Sequence, residues 1–503
     1  MLSRGAQVHG YEVWGKLGEG GMSEVWLAKH AVLNVPVVIK TLRRAIVESV
    51  GDAGAQRMFD EARLMARVTS GRVVRAVDAG TVDGTPYLVE EYVDGVDMAE
   101  LDRARRGALG VGLPLWTVCR VMEETCQALH AAHQAGVIHR DVKPSNLFAA
   151  PETGIRLGDF GIAVARGEGP PVGISGTLRF MAPEQLRGEP ADRASDAYSA
   201  GATAFDLRYG HPPFEDASTA LDDSMAPAFP PPHGPGEAYF QEVVRGMLSK
   251  RKADRPQELC VAAAHFRNAY QALRPAEDPA SLVALDRCHY RFQGCDITFR
   301  AGDIADEAAD AIVTSARFDM SMRSGVGEAV RRRGGDQIER EAMSGGGRAL
   351  GECVETAAGA LKARWVLHAV SAWNQTSCVG RATLRAIAAA DRLGLRTLAF
   401  PALGTGAARV SLETCANAMG SALRWRLQLG GSRLRAVSFV LGDEAKLATF
   451  RDVAVGALRG GVEVVRPADV GLPDDGRAVT AESATCLDPS SGAPPPDGGR
   501  PSP

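Results

Sequence analysis

The sequence has no Cys-x-x-Cys pair, no apolar run long enough to cross a bilayer, and almost no net charge. Each absence removes a class of protein. Nine cysteines are scattered over 503 residues, an odd number with no close pairs, so neither a disulfide framework nor a thiolate zinc site is expected and a reducing compartment suits them. No stretch approaches the ~20 apolar residues of a membrane-spanning helix, and the first residues lack the apolar core of a secretory signal. A cytoplasmic protein without a membrane span is expected. A formal net charge of -4 gives no electrostatic reason to expect nucleic acid or a membrane surface as partner. No internal repeat is found. What is present, 45% hydrophobic and 23% charged residues, is ordinary for a globular chain. The length exceeds what one core accommodates, so two domains and linkers are expected.

Two runs in the first half carry chemistry: His139-Arg140-Asp141-Val142-Lys143-Pro144-Ser145-Asn146, then Asp159-Phe160-Gly161. They set an aspartate, a lysine, an asparagine and a second aspartate where phosphoryl transfer from ATP needs them, because that reaction asks the protein mainly to position reactants and offset charge. Asp141 would take the proton of the attacking hydroxyl, Lys143 would sit on the transferred phosphate, and Asn146 and Asp159 would hold magnesium. Upstream, Gly18-Glu19-Gly20-Gly21-Met22-Ser23-Glu24-Val25 reads as a glycine-rich loop whose backbone amides approach phosphates without an intervening Cβ. Val37-Val38-Ile39-Lys40 reads as a strand ending in a lysine for the α- and β-phosphates. Glu61, on a helical pattern, is the natural ion-pair partner for Lys40, ahead of Asp60 and Glu48. Downstream, Ala182-Pro183-Glu184 closes the intervening segment, with Arg255 the expected buried partner of Glu184 and Asp196 a brace for the catalytic loop.

In this order, residues 11–273 resemble a bacterial serine/threonine protein kinase of the Hanks type, an α+β bilobal fold. The resemblance implies ATP and Mg²⁺ as cofactors, with Mn²⁺ as a substitute, and transfer of the γ-phosphate to Ser or Thr of protein substrates. It assigns catalysis to Asp141, Lys143, Lys40 and Glu61, and the metal to Asn146 and Asp159. Nucleotide contacts carried over are Leu17, Gly18, Glu19, Gly20 and Gly21 on the loop, then Val25, Val38 and Lys40. Glu91 and Val93 follow at the hinge, with Lys143, Asn146 and Asp159 below. Lys143 two residues after Asp141, with Thr177 beyond, is the serine/threonine pattern. Back-to-back homodimers of the first lobe are common in similar kinases. Three positions depart from the family. Glu90 falls at the gatekeeper, where an apolar residue is usual and a carboxylate must be hydrated, paired or protonated. Val38 replaces the usual alanine over the adenine, and Ser23 replaces the third loop glycine. Between Asp159 and Glu184 the only hydroxyls are Ser175 and Thr177. A phosphate on Ser175 could pair with Arg140, although this Gly- and Pro-rich segment is read as needing none. The alternative, a nucleotide-sensing scaffold without phosphotransfer, is opposed by the intact set Lys40, Glu61, Asp141, Asn146 and Asp159.

Along the chain, residues 1–10 read as an unstructured lead, with strands near 11–17, 23–29 and 35–41. Leu115, Cys119, Met122, Cys126 and Leu129 recur every three or four positions, a helix running into the catalytic loop. His133 is read as a packed core histidine. Helices near 237–248 and 257–273 finish the domain. A linker is expected over 274–284, and a disordered tail over 466–503, rich in Pro, Gly, Ser and Asp.

Residues 285–465 alternate apolar strands with helices, an α/β three-layer pattern. Strands are expected at 299–304, 310–316, 365–370 and 397–400, the last ending in the small-residue loop Gly404-Thr405-Gly406. This order is similar to a macrodomain, the module that binds ADP-ribose and related nucleotides. Carried over, Asp303 accepts from the adenine amino group beside Ile304, and Gly404, Thr405 and Gly406 wrap the distal phosphates with backbone amides. His368 is read as structural. The asparagine and aspartate that hydrolytic members use fall on Arg317 and Gly327, which leaves no residue to activate a water. Two readings of this domain stand: a sensor of an ADP-ribose-type nucleotide, or a module kept for protein contacts.

Overall fold

The computed structural model describes residues 2–19, 23–150, 154–160, 178–273, 282–373, 376–406 and 408–459. The tail expected over 466–503 lies outside them. Both domains fall within one compact unit, Met1–Arg466.

The small lobe of the first domain is built from β1 (Gln7–Val8), β2 (Tyr11–Glu19), β3 (Ser23–His30), β4 (Pro36–Leu42), α1 (Arg44–Met65), β5 (Ala76–Val82) and β6 (Thr85–Glu91). Its strands form one antiparallel sheet in the order β1-β2-β3-β4-β6-β5. The lead expected over 1–10 is therefore partly ordered: Val8 is buried and pairs with Tyr11. Two residues are too few to show a period of two, so only tertiary pairing reveals that strand. Gly51, at φ 55°, breaks α1 internally.

The large lobe follows with β7 (Val96–Asp97), α2 (Met98–Leu109), α3 (Leu115–Gln134), β8 (Leu147–Ala150), β9 (Gly154–Leu157), α4 (Pro183–Leu186), α5 (Arg193–Tyr209), α6 (Ala217–Leu221), α7 (Pro235–Met247) and α8 (Leu259–Leu273). The stripe Val118, Met122, Cys126 and Leu129 of α3 is fully buried against Phe205, Phe240 and Phe266 from α5, α7 and α8. Helix α5 starts in a capping box: Asp192 accepts from the amides of Ala194 and Ser195, and Ser195 Oγ accepts from Asp192 N at 3.1 Å. Such a cap contributes about 1 kcal/mol and fixes where Asp196 emerges.

The second domain contains β10 (Val283–Ala284), β11 (His289–Phe292), β12 (Cys295–Ala301), β13 (Ala311–Ser315), α9 (Gly325–Gly334), α10 (Gln337–Ser344), β14 (Cys353–Ala357) and β15 (Trp365–Ala369). After the hairpin β16 (Ala372–Trp373) and β17 (Thr376–Ser377) come α11 (Val379–Arg392), β18 (Thr397–Phe400), α12 (Leu412–Gln428), β19 (Ala436–Leu441) and α13 (Glu444–Arg459). The sheet order is β10-β11-β12-β19-β18-β13-β15-β14, parallel from β12 to β15 with antiparallel edges. Period-two alternation divides the parallel strands between two helical layers. Ile312, Val366, Ala399 and Val440 face Val330 and Ile338 of α9 and α10. Val313, Leu367, Leu398 and Phe439 face Ile387, Met419 and Phe450 of α11 to α13. The expected linker ends earlier than 284, because Leu282 is buried in this core and Val283 pairs with Arg291.

The second domain is seated on both lobes of the first. Asp94, just after β6, accepts from the amides of Gly380 and Arg381 at 2.9 Å each, so it caps α11 from the other domain. Glu100 of α2 receives a bidentate pair from Arg385 at 2.7 and 2.9 Å. Leu384, Ala422, Trp425 and Leu429 join the core of the large lobe. On the small-lobe side, Trp14 and Leu27 cluster with Met320, Val370 and Cys378, and Leu17, Tyr92, Ala316 and Phe318 pack against them.

Candidate active site

Helix α3 delivers the catalytic loop and Asp196 of α5 holds it. The buried Asp196 carboxylate accepts from His139 N and Arg140 N at 2.8 Å each, and His133 Nε2 lies 2.7 Å from it. Arg140 has φ 67°, a conformation that a side chain with a Cβ rarely adopts, and these two amide bonds flank it. His133 is accordingly a packing and bracing residue. Burial pulls the His139 imidazole below its usual pKa. The neutral ring fits its partners: Nε2 lies 2.9 Å from Gly158 O, and Nδ1 accepts from Asp141 N at 3.2 Å. Phe160 packs against His139 with ring centroids 4.2 Å apart and the planes tilted by 57°.

The loop's side chains converge. Lys143 Nζ donates to Asp141 Oδ2 at 2.8 Å, and Asn146 Nδ2 donates to the same oxygen at 3.2 Å and to Asp141 O at 2.7 Å. With its nitrogen used on Asp141, Asn146 offers Oδ1 to a cation. Burial would raise the Asp159 carboxyl, but Lys40, then Lys143 and His139, pull it below its usual value. Asn146 and Asp159 are thus hard oxygen donors of the kind that Mg²⁺ takes, and the donor set fits it.

Lys40 has acidic partners beyond the one expected. Its Nζ lies 2.5 Å from Glu90 Oε2 and also bonds Asp159 Oδ1. Burial alone would lower the Lys40 ammonium, yet Asp159 and Glu90 together hold it above its ordinary value. Glu61 lies on α1, but its side chain is outside what is described. The partner that sequence reasoning missed is Glu90, and its signal was a carboxylate at a position that is usually apolar.

Glu184 pairs with Arg255 at 2.7 and 3.0 Å and accepts from Ser195 Oγ at 2.6 Å, in line with the expected buried pair. Leu17 and Val25 are half-buried and Val38 is buried. Gly18 and Glu19 end β2, and Glu19 bonds Lys16 at 2.6 Å. The Glu91 side chain is occupied by Arg75 N at 2.8 Å and by Arg156, and its amide donates to Arg75 O at 3.0 Å, so neither group is open to a ligand. Val93 O accepts from Gly95 N at 2.9 Å. Gly20, Gly21, Ser175 and Thr177 lie outside the described residues.

In the second domain, Asp303 accepts from Ala305 N at 2.9 Å and pairs with Arg333 at 3.1 Å, beside the buried Ile304. Gly404 N donates to Ser315 Oγ at 3.1 Å and Thr405 Oγ1 to Ala402 O at 3.0 Å. The Gly404 amide, expected to reach a phosphate, is therefore taken by Ser315, while Gly406 O accepts from Arg409 N at 3.0 Å. His368 is buried between Thr314 and Thr356, at 3.0 and 2.9 Å from their hydroxyls, a structural position.

Residues 11–266 match the family described as protein kinase domain, a span covering just over half of the sequence. The chain belongs to the protein kinase family. Residues 313–419 match the macro domain family, so a kinase domain is followed by a macro domain. Among curated proteins, the kinase is 36% identical to a probable serine/threonine-protein kinase of Corynebacterium efficiens over 217 residues, 41% of this chain and 32% of that one. It is 36% identical to the serine/threonine-protein kinase PknF of Mycobacterium tuberculosis over 274 residues, 52% of this chain and 56% of that one. With PknB of Mycobacterium leprae the identity is 30% over 315 residues, 60% of this chain and 48% of that one. The chain thus spans from a third to just over half of these relatives' lengths. The PknI kinase domain of Mycobacterium tuberculosis aligns with 54% of this chain and 99% of its own at 28% identity and a TM-score of 0.44. Kinase membership implies ATP and a divalent metal as reactant and cofactor. Among the described residues of this kinase, no helix is long and apolar enough to cross a membrane, and the eight described cysteines are free.

Proposed function

We propose that this chain is a cytoplasmic ATP- and Mg²⁺-dependent serine/threonine protein kinase, able to use Mn²⁺, whose macro domain binds an ADP-ribose-type nucleotide and adjusts the kinase. The observation that carries the proposal is the convergence of Lys143 and Asn146 on Asp141, beside the bonded Lys40 and Asp159. Residues 11–273 form the catalytic domain, and the macro domain begins at Leu282.

Leu17, Val25 and Val38 enclose the adenine, and the backbones of Glu91 and Val93 read its edge. Gly18, Glu19, Gly20 and Gly21 cover the phosphates. Lys40 and Lys143 hold phosphate oxygens in line with the acceptor, and Asn146 Oδ1 and Asp159 hold the cation. A bound divalent cation neutralises phosphate charge. Asp141 accepts the proton of the Ser or Thr hydroxyl as its oxygen bonds the γ-phosphorus and the bond to the ADP oxygen breaks.

The sensor half draws on packing. Ala316, Phe318 and Met320 belong to the loop after β13, the first ligand loop of a macrodomain, and they share one cluster with Leu17 of the nucleotide pocket, Tyr92 of the hinge and Trp14 of β2. A ligand that shifts that loop shifts the pocket roof. The test is label transfer from ATP by the full chain with and without ADP-ribose, alongside calorimetry of ADP-ribose binding. The expected result is serine or threonine labelling with a KM for ATP changed about fivefold or more by ADP-ribose, the usual size of a coupling between sites. Absence of heat up to millimolar ADP-ribose removes the sensor and leaves the protein-contact reading.

A further inference from the structure

The buried carboxylate of Glu90 has a partner that the kinase resemblance does not supply. Val38 and Lys40 alternate onto one face of β4. Glu90 stands directly across from Val38 in the β4–β6 pairing, which sets it on the same face, diagonal to Lys40 and within reach of a long side chain. The two side chains are 6% and 8% exposed and their charged atoms lie 2.5 Å apart. Removing one member of such a pair strands the other charge in a dry site. Both strands belong to one hydrogen-bonded sheet, so the sheet register fixes the geometry of the pair.

We infer that Glu90 is a positioning residue for phosphotransfer: it holds the Lys40 ammonium from the sheet, so that the lysine's pose does not depend on where helix α1 carries Glu61. This rests on the proposed kinase activity. Lys40 also bonds Asp159, which would hold the cation. Glu90 then remains to keep Lys40 charged and aimed. The charged groups around the pair are Asp159 and Glu91, with Lys143 and His139 acting on Asp159 and Glu61 on the adjoining helix.

The test compares the full chain with Glu90→Met, which restores the usual apolar character, and Glu90→Gln, which keeps shape but removes charge. For Glu90→Met, assayed below its own melting temperature, kcat/KM for ATP falls about 100-fold, as expected when a reacting group is misplaced by about an ångström. Glu90→Asp, which keeps the carboxylate, recovers part of that loss, a recovery that a merely structural role would not give. Glu90→Gln gives about a tenfold fall, since an ion pair becomes an ion–dipole hydrogen bond, and carries the test should the Met variant fail to fold. Native activity in the Met variant, or equal losses in Glu90→Met and Glu90→Asp, overturns the inference while leaving the kinase proposal standing. If the native chain transfers no phosphate, calorimetry decides: about tenfold weaker ATP binding in the variant supports the role, and unchanged binding overturns it.

Discussion

Burial sets the ionisation of single residues here, and one of them reports on stability. Burial between Thr314 and Thr356 pushes the His368 imidazole down to about 4 from 6.5. Between those two values the unfolded chain binds a proton that the folded chain refuses. The contribution is whole above pH 6.5 and is lost progressively as pH falls toward 4, by at most about 3 kcal/mol. Replacing His368 with Gln should therefore flatten the fall of stability between pH 6.5 and 4 in urea titrations; parallel curves for the two proteins would count against it. The proposed catalytic positions were legible because phosphoryl transfer demands particular residue types in a fixed order, so Asp141, Asn146 and Asp159 stand out in one sequence. The partner of Lys40 was not. Glu90 reaches it only through the pairing of Val38 with Glu90, and strand register is invisible without the neighbouring strand. The sequence showed the anomaly, a carboxylate at a position that should be apolar, without its resolution.

Among elements, long helices were readable and very short strands were not. Leu115, Cys119, Met122, Cys126 and Leu129 mark α3 by period alone, whereas β1 and β10 have two residues each and exist because a neighbour pairs with them. The N-terminus of α11 belongs to the second class, since its cap, Asp94, lies 286 residues away from Gly380 in sequence. Burial raises the Asp94 carboxyl to about 6 despite the opposing amides of Arg381 and Gly380, so its charge is costly while its acceptor oxygens are useful. Asp94→Ala should destabilise the protein by about 1–2 kcal/mol, the range for a lost cap with amides left unpaired. Asp94→Asn, which keeps an acceptor and drops the charge, should cost less at pH 7. Thermal unfolding of the two variants gives the comparison, and an equal or larger loss for Asn would contradict this account of the cap.

At the scale of the whole molecule, the macro domain braces the kinase on the side of the hinge. It reaches the large lobe through Arg385 on Glu100 and Trp425 in the lobe's core, and the small lobe through Met320 and Phe318 against Trp14 and Leu17. Two domains were evident from length and from the change in pattern near residue 285. Their union was not, because each contact joins residues whose local sequences explain them equally well as surface. All of this frames the one chemical event proposed for the cleft, transfer of a phosphoryl group with Asp141 as proton acceptor. The direct test is the rate of label transfer from γ-labelled ATP to a generic basic protein by the full chain and by Asp141→Asn, with Mg²⁺ present. The account predicts Ser and Thr labelling by the native chain and a rate about 10²–10⁴-fold lower in the variant, the usual contribution of a positioned base. An unlabelled acceptor with the native chain, or equal rates in the two proteins, would contradict it.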